Sequence, residues 1–253
     1  VCDDEDKTLP EYRKRFGDVL VFSKSEIAKT FDEGDNFGDR RAIIYARNAC
    51  FELARQIGAT HFIELDDDYT YFKFRFDAQL RWHGADVQDL DAVFDMLLDY
   101  FNSAPMLTLA IGQGGDYIGG EKATRFNDGI QPMRKAMNSF ICSVDRPFQF
   151  IGRINEDVNT YVLLGVFLSI LQIGLDQLET QSNSGGMTEL YLDAGTYVKS
   201  FYTVMYCPSC VVVSAMGTAH RRLHHHIKWR YAVPKILHES VKKVTTNGIT
   251  PKQ

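Results

Sequence analysis

Cysteine is scarce. The chain has five, an odd number, and their spacing matches no disulfide framework. Cys207 and Cys210 form a lone C-x-x-C without a second pair, whereas a closed zinc site takes four ligands. The cysteines therefore read as reduced thiols in a cytosol-like compartment. Long apolar runs are missing as well. The most apolar stretch, residues 161–175, is interrupted by Ser169 and Gln172. It falls short of the roughly 20 apolar residues a membrane-spanning helix needs and reads as buried structure. Positive charge is not in excess: 28 Lys and Arg stand against 33 Asp and Glu, a net charge of -5. That excludes a surface built throughout for nucleic acid and leaves room only for a local patch. The glycine-rich stretch at 112–120 has neither the lysine of a P-loop nor the spacing of a dinucleotide fingerprint. The chain opens Val1-Cys2-Asp3 without a Met and without a signal-peptide pattern, and this opening reads as the end of a strand, consistent with a start inside a larger protein.

What is present is an ordinary globular composition, 45% hydrophobic, 12% aromatic and 24% charged. A chain of 253 residues buries about 70% of its unfolded surface, enough for a core without staples. Strand-like and helix-like segments alternate. Residues 19–22 read as a strand. Asp39 caps a helix over about 40–57, whose apolar positions Ile43, Ala46, Cys50, Leu53, Ala54 and Ile57 share a face and which Gly58 stops. Residues 61–65 form a buried strand. Leu90, Val93, Phe94, Leu97, Leu98 and Phe101 mark an amphipathic helix capped near Asp86 or Asp89. Residues 106–111, 139–144 and 148–151 read as strands, Asp157 opens a further helix, and 211–213 is a late β-branched strand. Loops are expected at 112–120 and 181–186. The alternation points to an α/β fold with a mostly parallel mixed central sheet flanked by helices. No repeat or linker divides it, so one domain is expected over 1–253.

The most informative line is His61-Phe-Ile-Glu-Leu-Asp66-Asp67-Asp68. An apolar strand delivers three consecutive carboxylates at its C-terminal end, where ligands bind in open α/β sheets. Side chains alternate along extended chain, so Asp66 and Asp68 share a face and Asp67 points away. Adjacent carboxylates resist desolvation, and a divalent cation bridging phosphates relieves them. A solvated acidic turn is the alternative for these three residues taken alone. Asn155-Glu156-Asp157 places two carboxylates at a helix start, where the helix dipole favours their charged form; a plain capping sequence is the alternative. His224-His225-His226 offers imidazoles to a transition metal, or else a surface cluster. From His220 to Gln253 eight Lys/Arg face a single acid, Glu239, a local charge of +7 before histidines, suited to phosphates or simply to solvent.

The run Ala46-Arg47-Asn48, then Leu53-Ala54, Gly58 and the strand ending in Asp66-Asp67-Asp68 resembles nucleotide-sugar glycosyltransferases of the GT-A (Rossmann-like) fold, in which a helix of this pattern and a glycine precede the strand bearing the D-x-D motif. Asn155-Glu156-Asp157 is similar to that family's x-E-D motif. With Ile-Asn-Glu-Asp-Val-Asn and the late His-His-His-x-x-Trp, the likeness over 1 to about 237 narrows to the glycosyltransferases associated with TET and JBP oxygenases. That group includes the glucosyltransferase assigned to base J and bacteriophage enzymes acting on hydroxymethylpyrimidines such as hydroxymethylcytosine in DNA.

The resemblance implies a metal-dependent, inverting transfer of a hexose, glucose for instance, from UDP-glucose or another UDP-sugar to a 5-hydroxymethylpyrimidine in DNA. It implies Mn²⁺ or Mg²⁺ on Asp66 and Asp68, completed by His226 or His224, and Asp157 as the base with Glu156 as its substitute. The donor is expected to meet Asp3 or Asp4, Arg41, Arg47, Asn48 and Asp67, although Arg47 suits a structural role equally. The acceptor is expected to meet Gly114, Gly115, Arg221, Arg222 and Lys228. Residues 1–110 would bind donor and 111–253 acceptor. The aromatics Tyr69, Tyr71, Phe72, Phe74 and Trp82 suit stacking on a base or, more simply, a core. The chain is expected in the cytoplasm (a host's, if phage-encoded) or the nucleus, off the membrane and not secreted. A branch of the family modifies proteins, which leaves a protein hydroxyl as an alternative acceptor. A sugar-1-phosphate nucleotidyltransferase would need a basic glycine-rich loop that residues 1–24 lack. A two-carboxylate glycosidase needs no D-x-D, and a catalytically silent binding domain would keep the fold alone.

Overall fold

The computed structural model describes residues 1–35, 37–66, 69–113, 117, 119–122, 136, 139–164, 167–170, 175–179, 196–216 and 222–232. The expected loop at 181–186 lies outside them.

The chain starts with a short parallel pair, β1 (Cys2–Asp3) and β2 (Val21–Phe22), joined through α1 (Leu9–Phe16). After α2 (Lys24–Ala28) comes α3 (Ile44–Gln56). It starts four residues later than its sequence pattern suggests, because the Asp39 carboxylate accepts from the backbone N–H and guanidinium of Arg41 and so closes a turn of its own. Its end follows the sequence. Gly58 has φ +73°, and the N–H groups of Gly58 and Ala59 donate to the carbonyls of Arg55 and Ala54, the paired bonds of a Schellman motif.

β3 (His61–Glu64) leads to a hairpin of β4 (Tyr69–Phe76) and β5 (Trp82–Asp86), then to α4 (Leu90–Ser103). Asp89 caps α4 by accepting from the Ala92 N–H at 2.9 Å, and Val93, Leu97 and Phe101 on its inner stripe are buried. β6 (Thr108–Gln113) and β7 (Phe140–Ser143) precede α5 (Glu156–Leu164), β8 (Phe167–Ile170), β9 (Leu175–Glu179), α6 (Thr196–Tyr206), β10 (Val211–Met216), β11 (Arg222–Ile227) and α7 (Trp229–Ala232). Residues 148–151, expected as a strand, form none. The Asn48 side chain clasps this segment by bonding both the N–H and the C=O of Phe150.

The main sheet runs β3-β7-β6-β9-β4-β5, with β8 also on β6. Its middle strands alternate between two cores. Phe140 and Cys142 of β7 and Ala110 of β6 face the core that contains α3. Ile141, Leu109 and Ile111 face the one built on α4. Helices thus cover both faces, which is why these strands are apolar in succession instead of alternating with polar residues.

The chain is a mixed α/β protein, as expected, but the sheet is not mostly parallel. β7 runs antiparallel to both β3 and β6, and β4 is antiparallel to β5 and β9. Among the described ladders of this sheet, the parallel ones are those of β6 with β8 along Thr108–Ile111 and with β9 at Gly112 and Gln113. Alternating elements in a sequence do not record strand direction. Here β7 is inserted antiparallel between β3 and β6, and the β4–β5 hairpin adds antiparallel strands at the other end of the sheet. β10 and β11 form a separate antiparallel ribbon. Val211 and Ile227 carry it into the core of α3, and Trp229 stacks on Tyr161 of α5 with ring centres 5.6 Å apart.

Candidate active site

Arg47 lies on the side of α3 that faces β3 and the start of α5. Its residue is 6% exposed. One guanidinium nitrogen donates to the Glu156 carboxylate at 2.7 Å and another to Asp66 at 3.4 Å. A planar fork suits this task, since one cation can bridge two carboxylates in fixed directions. The rings of Phe140 and Phe150 lie 5.1 and 5.5 Å from the guanidinium carbon and add a cation–π contribution. Burial works against its charge, but Glu156, Asp66, Glu64 and Asp157, in that order, outweigh it and raise its pKa. The strand-end and helix-start carboxylates, 90 residues apart in sequence, therefore share a single buried cation.

Glu64 stands two residues before Asp66 and on the same side of the strand. Both its carboxyl oxygens are sealed from solvent without a hydrogen bond. Burial pushes its pKa up to about 8; Arg47 pulls it down, and Asp66 and Glu156 push it further up.

The helix start is tightly held. Asn155 takes φ +56°, a left-handed turn that asparagine tolerates better than most residues. Its side-chain N–H groups donate to the Lys199 carbonyl and to Thr203 Oγ1 on α6. Asn159 donates to the carbonyls of Ile151 and Ile154. Thr160 Oγ1 accepts from the Ile151 N–H and donates to the Glu156 carbonyl. Just upstream, Arg153 is 1% exposed and pairs with Asp35 at 2.6 Å and Asp39 at 3.6 Å. Gly152 and Arg153 donate backbone N–H bonds to the carbonyls of Asp32 and Glu33. Glu156 is buried against Arg47, and Asp157 beside it is half-buried.

A cavity of about 610 Å³ opens between α1, α3 and β3. Arg47, Glu64 and Asp66 are on its wall with Asp6 and the aromatic rings of Tyr12 and Phe16. Those two rings stack at 6.0 Å. Tyr12, Phe16 and Asp6 did not stand out in the sequence. The one local signal is Asp6-x-Thr8, where the Asp6 carboxylate accepts from the Thr8 N–H and hydroxyl ahead of α1. Arg153 was likewise not singled out, because nothing in a sequence marks which arginine is buried.

The other expected donor residues lie elsewhere. Asp3 pairs with Lys24 at 3.0 Å and Asp4 accepts from the Lys24 backbone N–H at 2.9 Å, so both secure the β1–α2 junction. Arg41 pairs with Asp39, and Asn48 is engaged with Phe150. None of these four lines the cavity. Asp67, Asp68, Gly114, Gly115 and Arg221 lie outside the described residues. Arg222 pairs with Met216 in the ribbon, and Lys228 is exposed after it. His224 and His226 share one face of β11, half-buried and exposed, while His225 is buried on the other. Among the described residues no three His, Cys, Asp or Glu side chains are grouped to hold a metal ion; Asp68, the partner expected for Asp66, is not among those residues. The aromatics of the hairpin divide by face: Phe72 and Phe74 pack toward α4, while Tyr71 and Trp82 are 37% and 42% exposed.

The donor chemistry of Asp66 fits a hard divalent cation, which prefers carboxylate oxygens. Glu64, Asp66, Glu156 and Asp157 surround one arginine, so the cluster has negative charge to spare. No described helix is long and apolar enough to cross a membrane. A family model described as TET-Associated Glycosyltransferase matches residues 1–166. That span runs from β1 through α5 and includes Arg47, Asp66, Glu156 and Asp157. Searches of curated proteins and of solved structures each find no match.

Proposed function

The chain belongs to the TET-Associated Glycosyltransferase family, a family of glycosyltransferases, and from that premise we propose that it moves a hexose from a nucleoside diphosphate sugar to the hydroxyl of a 5-hydroxymethylpyrimidine in DNA, on a GT-A-like site with a divalent cation. The observation that carries this reading is Arg47 joining Asp66 to Glu156. It sets the strand-end acid, suited to the donor diphosphate, beside the helix-start acids suited to deprotonating an acceptor.

In this reading the cavity beside Asp66 seats the nucleoside, with Tyr12 and Phe16 as its aromatic wall. Asp66 and Asp68 hold Mn²⁺ or Mg²⁺. When bound, the ion offsets the charge that develops on the departing diphosphate. Asp157 takes the acceptor proton as the oxygen attacks the anomeric carbon from the face opposite the leaving group, which inverts the configuration. Glu156 suits the base role less well, because its carboxylate is buried against Arg47. Asn155, Asn159 and Thr160 fix the approach of Asp157, and orientation of this kind supplies much of the acceleration in such transfers. The exposed Lys228 and the basic residues around it suit the DNA phosphates.

The test is incubation with Mn²⁺, a panel of nucleotide sugars, and hydroxymethylated or unmodified DNA, followed by mass spectrometry of the digested nucleosides. A hexosylated hydroxymethylpyrimidine is the expected product, formed only from hydroxymethylated DNA. Sugar found on a co-incubated protein and never on DNA overturns the acceptor assignment. Absence of transfer to any acceptor, with intact donor binding, overturns the enzyme reading.

A further inference from the structure

Cys207 and Cys210 have no part in the site described above. Cys207 follows the last residue of α6, and its N–H still donates to the Thr203 carbonyl at 3.1 Å. Pro208 and Ser209 then form a tight turn. The N–H groups of Cys210 and Val211 both donate back to the Cys207 carbonyl, at 3.2 and 2.9 Å. A bond from residue i+3 to residue i, with proline second, is the pattern of a β-turn, whose end Cα atoms lie within about 7 Å. That is the range a disulfide spans. The two sulfurs are in contact at 2.7 Å. Cys207 is half-buried and Cys210 fully buried, so an incoming reagent meets Cys207 first.

We propose that Cys207 and Cys210 form a dithiol–disulfide couple, in which Cys207 takes up an oxidised low-molecular-weight disulfide and Cys210 resolves it. The Cys207 thiolate attacks one sulfur of the oxidised disulfide. A mixed disulfide forms, one thiolate leaves and the Cys207 proton goes to solvent. The Cys210 thiol then gives up its proton, which ends on the departing thiolate, and its sulfur attacks the Cys207 sulfur; the second thiolate leaves and the Cys207–Cys210 bond is made. Two protein thiols are oxidised and one disulfide molecule is reduced to two thiols.

The placement sets the character of the couple. C-x-x-C pairs at helix N-termini have a thiolate stabilised by the helix dipole, which favours the reduced form. This pair follows a helix C-terminus, which offers no such stabilisation. Burial, together with its hydrogen bond to Cys207 and the charge there, pushes the Cys210 thiol up to about 12. With the reduced form not stabilised in this way, the bridge forms slowly and resists reduction. Once formed, it staples the residue that follows α6, the helix that receives the Asn155 side chain through Lys199 and Thr203, to the residue that precedes β10.

The full chain is reduced, desalted, exposed to oxidised glutathione and quenched with an alkylating agent, then analysed by intact mass and peptide mapping. The wild-type protein is expected to lose two hydrogens, with a cross-link mapped between positions 207 and 210. Cys210→Ser is expected to stop at a single glutathione adduct on Cys207, and Cys207→Ser to form neither bridge nor adduct at Cys210. A wild-type protein that accumulates the Cys207 adduct without closing the bridge, that stays fully reduced, or that bridges Cys2, Cys50 or Cys142 instead overturns the proposal. The wild-type time course decides the outcome even if a serine variant fails to fold.

Discussion

Arg47 holds carboxylates from two elements, so its removal leaves buried negative charge unopposed. Breaking a buried ion pair by deleting one partner costs about 3–5 kcal/mol. Arg47→Ala is expected to destabilise the fold by that order in urea denaturation, and Glu156→Gln by less, since a neutral amide still accepts from the guanidinium. Asp157→Asn is expected to lower turnover by roughly 10²–10⁴-fold, the usual weight of a general base, while donor affinity measured by calorimetry stays near wild type. Wild-type turnover in Asp157→Asn would remove the base assignment. Asp39 gives the pH prediction. Side-chain bonding from Arg41, and secondarily its backbone bond and the charges of Arg41 and Arg153, hold its carboxyl below the ordinary 3.8, against an opposing effect of burial. A carboxylate depressed in the folded state stabilises above its unfolded pKa and loses that contribution as pH falls through the folded one. Asp39→Asn is therefore expected to shed roughly 1 kcal/mol of stability at neutral pH and to flatten the loss of stability below about pH 4. Melting curves across pH 2–6 (approximate bounds set by carboxylate titration) check it.

Among the elements, two glycines are expected to separate backbone strain from steric conflict. Gly58 ends α3 at φ +73° with open space where a Cβ would stand, so Gly58→Ala is expected to cost only the left-handed penalty of about 1–2 kcal/mol. Gly152 adopts φ +79°, and a Cβ there would lie 2.3 Å from Asn159 Nδ2 and 2.7 Å from Tyr206 Cε2. Gly152→Ala is expected to lose at least twice as much, read from denaturation midpoints at constant slope. α4 was legible from its sequence because cap and apolar stripe agree. α3 was legible in its middle and at its glycine stop, while its start was hidden by an aspartate that caps a turn instead. The hairpin of β4 and β5 was hidden by its aromatics: Tyr71, Phe72 and Phe74 read as one set, for stacking or for a core, whereas period-two alternation sends Phe72 and Phe74 toward α4 and leaves Tyr71 outside.

For the whole molecule, the acids that gather around Arg47 were legible in the sequence, and the topology was not. Strand-end and helix-start acids announce themselves by position in the chain, but strand direction depends on connections that no local pattern encodes. Arg47 could be marked as a candidate and not as the bridge, because pairing across 109 positions leaves no trace in spacing. The proposed ligands give a molecule-wide prediction. With Mn²⁺ and a nucleoside diphosphate at about 100 times the dissociation constant, unfolding free energy is expected to rise by about 2.7 kcal/mol, and chelation is expected to reverse that rise and abolish transfer together. A melting temperature that does not respond to the pair would contradict the site.

The two-residue seam between β6 and β9 has a mechanical consequence. Among the described ladders, β9, β4 and β5 make a leaf that meets the rest of the sheet only at Gly112 and Gln113, while β8 occupies the remainder of that β6 edge. Few ladder hydrogen bonds cross there, so bending of the sheet is expected to concentrate along this line. Such a swing would carry the Tyr71 and Trp82 side of the leaf relative to Asp66, and amide exchange is accordingly expected to be faster at the seam than in the β3–β7 ladder.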